Sequence, residues 1–348
     1  MLNPFIHWIE AKGIWAPWLF LAIFLAASFL MIWRLEAMQA SGFEGTVLGT
    51  LVMPYCSGMG NLIFAFILGQ TNGNGADVMT NSLVNNVTNM TLILGLPALI
   101  WGINVIPKPK PDAKKSKEGS KAKEGKAKER VRTNQLNRLS LLLTLMAVLF
   151  FTGVVWVMGR KGSLDFNDGL VLVGLFIFWQ CLHVFEVLKQ NVRQGKSAIG
   201  WMLPVDLGLL VVGAYGIYVS TDWLVAWTKH VDTSFFHNRN IIGWLSGWLD
   251  VLPNALLAFY YGWHKQPEVV YTSQVGDAHV SIPLCLGIFA LYHPMSLPAN
   301  FHVAMLILLG ATLLHFIFVV AFGRLPRLVG ILLVIAYLCF LKTGLVGG

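Results

Sequence analysis

Residues 57–95 read SGMGNLIFAFILGQTNGNGADVMTNSLVNNVTNMTLILG, a stretch that is apolar enough for a lipid bilayer and yet rich in asparagine. An amide without a hydrogen-bond partner in hydrocarbon costs several kcal/mol. So many amides therefore require partners, and a cation, a water molecule or a facing helix could each supply them. The amides belong to Asn61, Asn81, Asn85, Asn86 and Asn89.

The pattern returns in residues 246–287, which read SGWLDVLPNALLAFYYGWHKQPEVVYTSQVGDAHVSIPLCLG. Asn61 and Asn254 are each followed by Ala-Phe at the fourth position and by Gly at the eighth. Beyond the loop we align residues 77–86 with residues 268–277, and both copies end in Leu-Gly. Ordered matches at a separation of about 190 residues indicate an internal repeat. The alignment superimposes Ser82 on Ser273 and Asn86 on Asp277.

Composition places the chain in a membrane. Hydrophobic residues make up 56% of it, charged residues 12%, and the mean hydropathy is +0.65. A soluble domain carries about 25% charged residues. Apolar runs of about twenty residues recur along the chain, which is typical of a polytopic all-α membrane protein. The short alternating segments of a transmembrane β-barrel do not occur.

The apolar runs predict ten transmembrane helices, five in each half. Basic residues follow the odd-numbered spans, which indicates that these connections are cytoplasmic and that the N-terminus lies outside. The repeated pattern starts at spans two and seven. An offset of five spans gives the two copies opposite orientations, as in the inverted repeats of secondary transporters. The predicted spans are 14–33, 43–69, 77–103, 139–158, 169–188, 199–219, 241–262, 269–291, 302–322 and 328–345.

The net charge of +8 comes almost entirely from one segment. Residues 108–132 contain eleven Lys or Arg against four acidic residues, and they show no apolar periodicity. We interpret this segment as a basic cytoplasmic loop, and its localised charge argues against nucleic-acid binding. The predicted organisation is residues 1–103 (first repeat), 104–138 (basic loop), 139–190 (spans four and five) and 197–348 (second half with the second repeat).

Polar residues in each copy share a helical face, because they are spaced by three or four positions. Gly58, Gly60 and Pro253 should weaken the helices just before Asn61 and Asn254 and free backbone carbonyls. Amide, hydroxyl, carbonyl and carboxylate oxygens together suit a hard cation. The residues on these faces are Ser57 with Asn61, Asp250 with Asn254, Ser82 with Asn86 and Asn89, and Ser273 with Asp277 and Ser281.

Residues 253–287 resemble the second α-repeat of the sodium/calcium exchanger superfamily. That repeat reads roughly Pro-Glu, a small apolar helix, G-x-P-D, then GN-x-x-GSN and an apolar run ending in Leu-Gly; the match here includes Pro267 and Gly276. Residues 57–69 and 85–95 resemble the first α-repeat. The resemblance implies that Asn61 and Asn254 occupy the positions of the family's two ligand glutamates. It also implies that Asn86 and Asp277 occupy the Asn or Asp positions, so both signature glutamates are absent.

This departure affects which ion could bind. A divalent cation in a low-dielectric site requires matched negative charge. With Asp277 as the only carboxylate, a monovalent ion or a proton is easier to hold than Ca²⁺. If Asp250 also contributes, a divalent ion becomes reasonable, and the sequence leaves both alternatives open.

The resemblance implies a secondary antiporter that moves Ca²⁺ or another small cation against Na⁺ or H⁺. The alternative is a non-transporting membrane scaffold or assembly protein that retains the exchanger fold. We expect no enzyme activity and no cofactor, because no nucleophile–base or metal-ligand spacing is present. The expected partners are the lipid bilayer and small cations, and the expected location is the inner (plasma) membrane of a bacterium. The candidate cation ligands are Asn61, Asn86, Asn254, Asp277, Asp250, Ser57, Ser82, Ser273 and Asn89.

Overall fold

The structure is a computed structural model of the chain. It describes residues 4–40, 55, 58–104, 141–194, 203–228, 240–264 and 267–346. For some of these residues, including Ser273 and Asp277, only the backbone is described, and Ser57 lies outside the described residues. The basic loop, apart from its first residue Asn104, also lies outside them.

Nearly all of the described chain is helical. In order, the first half has α1 (Pro4–Glu10), α2 (Ala16–Ala40), α3 (Met59–Gln70), α4 (Gly75–Thr88), a π-helical turn (Asn89–Ile93), α5 (Leu94–Trp101), α6 (141–158) and α7 (Phe166–Gln194). The second half has α8 (Leu203–Thr228), α9 (Ile241–Trp263), α10 (Pro267–Val280), a second π-helical turn (Ser281–Cys285), α11 (Leu286–Tyr292), α12 (Phe301–Phe322) and α13 (Arg327–Leu341).

These helices form a membrane bundle. Within the described ranges, nine helices or continuous helical segments are long and apolar enough to cross a bilayer, and α3 is a shorter apolar helix. The ten together match the predicted number of spans. Predicted span two begins near residue 43, whereas the described helix begins at Met59, and residues 41–54, 56 and 57 lie outside the described part. The predicted break at Pro253 does not occur, because α9 runs through this proline without interruption.

Two very short antiparallel sheets connect the halves. β1 (Ile103–Asn104) follows α5 and pairs with β4 (Arg324–Leu325), which lies between α12 and α13. β3 (Met295–Ser296) follows α11 and pairs with β2 (Ser163–Leu164), which lies between α6 and α7. The end of each repeat is therefore fixed to the helical hairpin of the opposite half, and the same arrangement occurs twice.

The repeat is also present in the positions of the helices. From α4 to β1 in the first copy and from α10 to β3 in the second, the elements start at one constant separation of 192 residues. The corresponding starts are Gly75 and Pro267, Asn89 and Ser281, Leu94 and Leu286, and Ile103 and Met295. This separation confirms the two inverted five-helix repeats.

Close glycine contacts hold equivalent helix pairs together. A Cβ atom on Gly330 of α13 would lie 2.7 Å from the carbonyl oxygen of Gly95 in α5. In the other half, a Cβ atom on Gly169 of α7 would lie 2.9 Å from the carbonyl oxygen of Gly287 in α11. Such small-residue contacts let helix backbones approach closely in membranes, where van der Waals packing drives association.

The core of the described residues divides into one large cluster and three smaller ones. The large cluster includes side chains from α3 to α13. One of the smaller clusters joins α2 to α8 through Phe24, Met31, Leu210 and Ile217, with Ile63 of α3 beside them. The helices α2 and α8 thus contact each other more extensively than they contact the other helices.

Candidate functional site

Asp250 of α9 lies at the centre of a polar cluster inside the bundle. The Asn81 side chain of α4 donates from Nδ2 to Asp250 Oδ2 at 3.0 Å and to Ser246 Oγ at 3.0 Å. Asp250 is half-buried and Asn81 is fully buried. An amide nitrogen has two hydrogens, so Asn81 can make both bonds at once. The carboxylate of Asp250 is thereby fixed against α4.

Glycines allow this approach between α4 and α9. A Cβ atom on Gly247 would lie 2.7 Å from Val84 Cβ and 2.9 Å from the carbonyl oxygen of Asn81. One turn earlier, a Cβ atom on Gly243 would lie 2.8 Å from Thr80 Cβ. The backbone N–H of Gly243 also donates to Asp77 Oδ1 at 3.2 Å. The pattern Gly-x-x-x-Gly therefore places the two helices close enough for Asn81 to reach Asp250.

The start of α3 borders the same carboxylate. A Cβ atom on Gly60 would collide with Asp250 Oδ1, so only glycine fits at this position without displacing the carboxylate. Asn61, the next residue along α3, is 2% exposed. Asn61 is therefore buried and follows directly the glycine that meets Asp250.

Three buried oxygens at the start of α3 and on α4 have no hydrogen-bond partner among the residues that the structure describes. They are Asn61 Oδ1, Asn81 Oδ1 and Ser82 Oγ. Buried polar atoms are nearly always paired, and each exception needs an explanation. Amide and hydroxyl oxygens next to a carboxylate are the ligands that hard cations take. This arrangement can bind a small cation.

Asn86 has a different environment from Asn61. Its Nδ2 atom donates to Ser281 Oγ at 2.6 Å and to the carbonyl oxygen of Ser82 at 2.9 Å, and Ser281 Oγ donates back to Asn86 Oδ1 at 2.9 Å. Both Asn86 and Ser281 are fully buried. In this conformation the amide of Asn86 is used to connect the first repeat to the second π-turn.

The structure shifts the predicted register between the copies by one residue. At the separation of 192 residues, the counterpart of Asp277 is Asn85 and not Asn86. Asn81, Asn85 and Asn89 then correspond to Ser273, Asp277 and Ser281, with steps of four in both copies. The sequence alignment paired Asn61 with Asn254 before the loop and Asn86 with Asp277 after it. It therefore used a different separation on each side of the loop and missed the constant value. The shared spacing of four was the signal that could have corrected it.

The predicted site residues fall into three groups. Asp250 lies in the cluster, whereas Asn61 and Ser82 follow in the chain the two residues that meet it, Gly60 and Asn81. Asn254 is half-buried one turn beyond Asp250 on α9, where its carbonyl oxygen is 3.5 Å from Gln274 Nε2. Asn86 and Asn89 are buried on α4 and the first π-turn, and Asn89 Nδ2 donates to Asn85 Oδ1 at 3.4 Å. For Ser273 and Asp277 the structure gives only a position on α10. Sequence reasoning assigned no ligand role to Asn81 or Ser246, and it treated Gly60 as a residue that weakens the helix before Asn61.

Comparison with known proteins agrees with this architecture. The model of the family described as sodium/calcium exchanger protein matches residues 12–185 and 205–344. A search of curated proteins gave no match.

Solved structures of the sodium-calcium exchanger NCX_Mj are similar to the chain over nearly its whole length. One, soaked with 2.5 mM Na⁺ and 10 mM Sr²⁺, is 19% identical, with a TM-score of 0.60 over 93% of this chain and 96% of that one. Another, soaked with 2.5 mM Na⁺ and 0.1 mM Ca²⁺, is 20% identical, with a TM-score of 0.59 over 93% and 96%. At this identity the likeness shows a shared fold. The family model, however, covers most of the chain in two segments that fall on its two halves, and the chain belongs to the sodium/calcium exchanger family.

Proposed function

We propose that the protein is a secondary antiporter that moves Ca²⁺ or another small cation against Na⁺ or H⁺. The observation that carries this proposal is the cluster at Asp250. There, Asp250 accepts from Asn81 and lies against Gly60, and Asn61, Asn81 and Ser82, at or next to these contacts in the chain, each carry a buried oxygen with no partner among the described residues. A structural hydrogen-bond network would be expected to pair such oxygens. A cation that enters the cluster would pair them.

The proposed ligands come from both repeats. Asp250 supplies the negative charge, and Asn61, Asn81 and Ser82 supply neutral oxygens around it. Asp277 and Asn85 occupy equivalent positions on α10 and α4, and we propose them as a second part of the site. The further proposed ligands are Ser57, Ser273, Asn89 and Asn254, and Asn86 would join them after releasing Ser281.

The number of carboxylates decides which ion is favoured. A site with Asp250 alone would favour a monovalent ion, because charge matching limits the cost of placing a cation in low dielectric. With Asp277 facing the same ion, the two negative charges would match Ca²⁺. The two alternatives predict different results. If both carboxylates face the ion, removal of either one should abolish divalent binding and leave weak monovalent binding.

Alternating access would use the helix pair α2–α8. This pair has its own apolar cluster, and Gly216 of α8 would place a Cβ atom 2.9 Å from Ala27 Cβ of α2. The polar cluster lies on α3, α4 and α9, which all contribute to the large cluster, and α3 also contacts the pair through Ile63 and Ile67. Movement of this pair along the other helices could expose the site to alternate sides without disturbing the ligands.

The test is exchange of radiolabelled Ca²⁺ or Na⁺ in proteoliposomes for Asp250→Asn. Loss of one charged ligand should lower gradient-dependent exchange by about tenfold or more, because interactions with a charged group contribute roughly 1.5–3 kcal/mol. Asp165→Asn makes the same chemical change between spans, where the Asp165 carboxylate is 45% exposed, and should exchange like the wild type. Equal exchange in the two variants would remove Asp250 from the site.

One observation favours the alternative of a membrane scaffold. The reciprocal bonds between Asn86 and Ser281 use the amide fully, as a purely structural contact would. A scaffold predicts that Asn86→Leu lowers the melting temperature and that no cation raises it. Cation-dependent stabilisation of the wild-type protein, lost in Asp250→Asn, would decide for transport.

The chain is an integral membrane protein, and we propose a bacterial inner-membrane location with the N-terminus outside. The support is the distribution of Lys and Arg, which concentrates in residues 108–132 and in the other connections that follow odd-numbered spans.

A further inference from the structure

The two π-turns occupy equivalent positions but have different causes. In the second copy, Pro283 lies inside the turn Ser281–Cys285. Proline lacks an N–H and clashes with the carbonyl four residues earlier, so an α-helix cannot continue unchanged there. In the first copy the equivalent residue is Thr91, which has its own N–H. The first turn itself contains no proline, and Pro97 of α5 would free the carbonyl oxygen of Ile93 and not that of Met90.

In the first copy, a buried histidine donates a hydrogen bond to the backbone of the π-turn. The backbone N–H of Leu94 donates to the carbonyl oxygen of Thr91, not to that of Met90 as in a regular α-helix. His315 of α12 lies with its Nε2 atom 2.8 Å from the Met90 oxygen. Since a carbonyl oxygen only accepts, the histidine nitrogen carries the hydrogen and donates it. His315 thus replaces the helix's own donor.

The environment of His315 restricts it to this role. The side chain is fully buried, and its ring packs edge-on against Tyr271 of α10 with centroids 5.4 Å apart. Its Nδ1 atom has no hydrogen-bond partner among the described residues. The bond to Met90 is therefore the polar interaction that the structure gives this ring.

The π-turn sets the direction of the polar residues. One extra residue in a helical turn rotates everything before it by about 100° relative to everything after it. After the turn, Gly95 packs against Gly330 of α13 and fixes the orientation of α5. Before the turn, Asn85 and Asn89 lie on α4 and at the start of the turn. With an uninterrupted α-helix, the Gly95 contact and the present direction of these two amides would not be compatible.

We infer that His315 is a positioning residue, which holds the first π-turn through Met90 and thereby orients Asn85 and Asn89. The link to cation binding rests on the proposed function, whereas the link to the π-turn does not. His315 itself would not touch the transported ion.

The experiment compares His315→Phe, His315→Gln and His302→Phe in the full-length protein. Phenylalanine keeps the ring packing but cannot donate, and glutamine presents an N–H at a similar distance from the backbone. His302 lies on the same helix with an exposed side chain and serves as the control. Hydrogen exchange of the amides in residues 89–95 is measured without cations, and the apparent Ca²⁺ and Na⁺ affinities are measured by titration.

An unpaired buried carbonyl should speed amide exchange in residues 89–95 and weaken the cation affinity, each by about tenfold, in His315→Phe. We expect His315→Gln to recover both to within about threefold, and His302→Phe to match the wild type. Unchanged exchange in His315→Phe, or no recovery in His315→Gln, would overturn the assignment. If the wild type binds neither cation, the proposed function fails, and the exchange data alone decide on His315.

Discussion

At the scale of single residues, three glycines decide how the polar cluster is built. Gly60, Gly243 and Gly247 each stand where a Cβ atom would meet a neighbouring helix or the Asp250 carboxylate. Their lack of a side chain lets α3, α4 and α9 converge on one point. The amides and the carboxylate could not meet if the helices stood at the distance that larger residues impose.

Gly247→Ala tests this dependence. The added methyl group would overlap Val84 and the backbone of Asn81, and overpacking of this kind costs roughly 1–3 kcal/mol. We expect a lower melting temperature in detergent and a weaker cation response. Gly310→Ala on α12 is the matched control, because its Cβ atom would meet nothing within 4 Å. Equal melting temperatures for the two variants would show that the close contact between α4 and α9 does not contribute to stability.

Two of the predicted ligands, Asn61 and Asn86, show that a motif alone does not identify which amide is available to an ion. The sequence predicted that Asn61 and Asn86 are both cation ligands, but their surroundings differ. The Asn61 oxygen has no donor among the described residues, whereas the Asn86 amide is bonded to Ser281 and Ser82. The spacing of the amides along a helix was visible in the sequence. Which amide finds a partner depends on the helix opposite.

At the scale of helices, an internal ion pair joins α2 to α8. Arg34 Nη1 lies 3.2 Å from Asp206 Oδ1, and the two side chains are 10% and 12% exposed. The guanidinium of Arg34 also stacks on the Trp33 ring at 3.2 Å from its centroid. Buried charges are tolerated only when they are paired. The pair therefore makes α2 and α8 depend on each other within the smaller packing unit.

Removing one partner of this pair should be more harmful than removing both. Arg34→Met leaves an unpaired buried carboxylate, which costs about 3–5 kcal/mol, whereas an apolar replacement of both partners is often neutral. We therefore expect Arg34→Met to melt far below the wild type and the double variant with Asp206→Leu to recover most of the loss. Melting temperatures in the same detergent measure this, and additive losses in the double variant would contradict it.

At the scale of the whole molecule, the inverted repeat determines which connections lie on the same side of the membrane. The two small sheets follow symmetrically from the two halves, so β1 with β4 and β2 with β3 must lie on opposite sides of the membrane. The basic segment that follows β1 supports our proposal that this side is cytoplasmic. In the proposed topology, the connection between α6 and α7, which contains β2, lies outside.

Cysteine labelling tests this orientation. In a background without the four native cysteines, Asn167→Cys at the start of α7 should react with a membrane-impermeant maleimide in intact cells. Ser116→Cys in the basic segment should react only after permeabilisation. The opposite pattern would invert the proposed topology while leaving the repeat intact.

The sequence by itself determined the membrane class, the number of spans, the two repeats and their opposite orientation. These properties depend on hydropathy and on charge along the chain, which act locally and accumulate over many residues. The sequence was compatible with more than one register between the copies, and the tertiary structure selected the one that pairs Asn85 with Asp277. The tertiary structure also brought Asn81 to Asp250 and His315 to Met90. Such contacts depend on how closely helices pack and on the rotation introduced by a single π-turn, and neither can be read from residues that are distant in the chain.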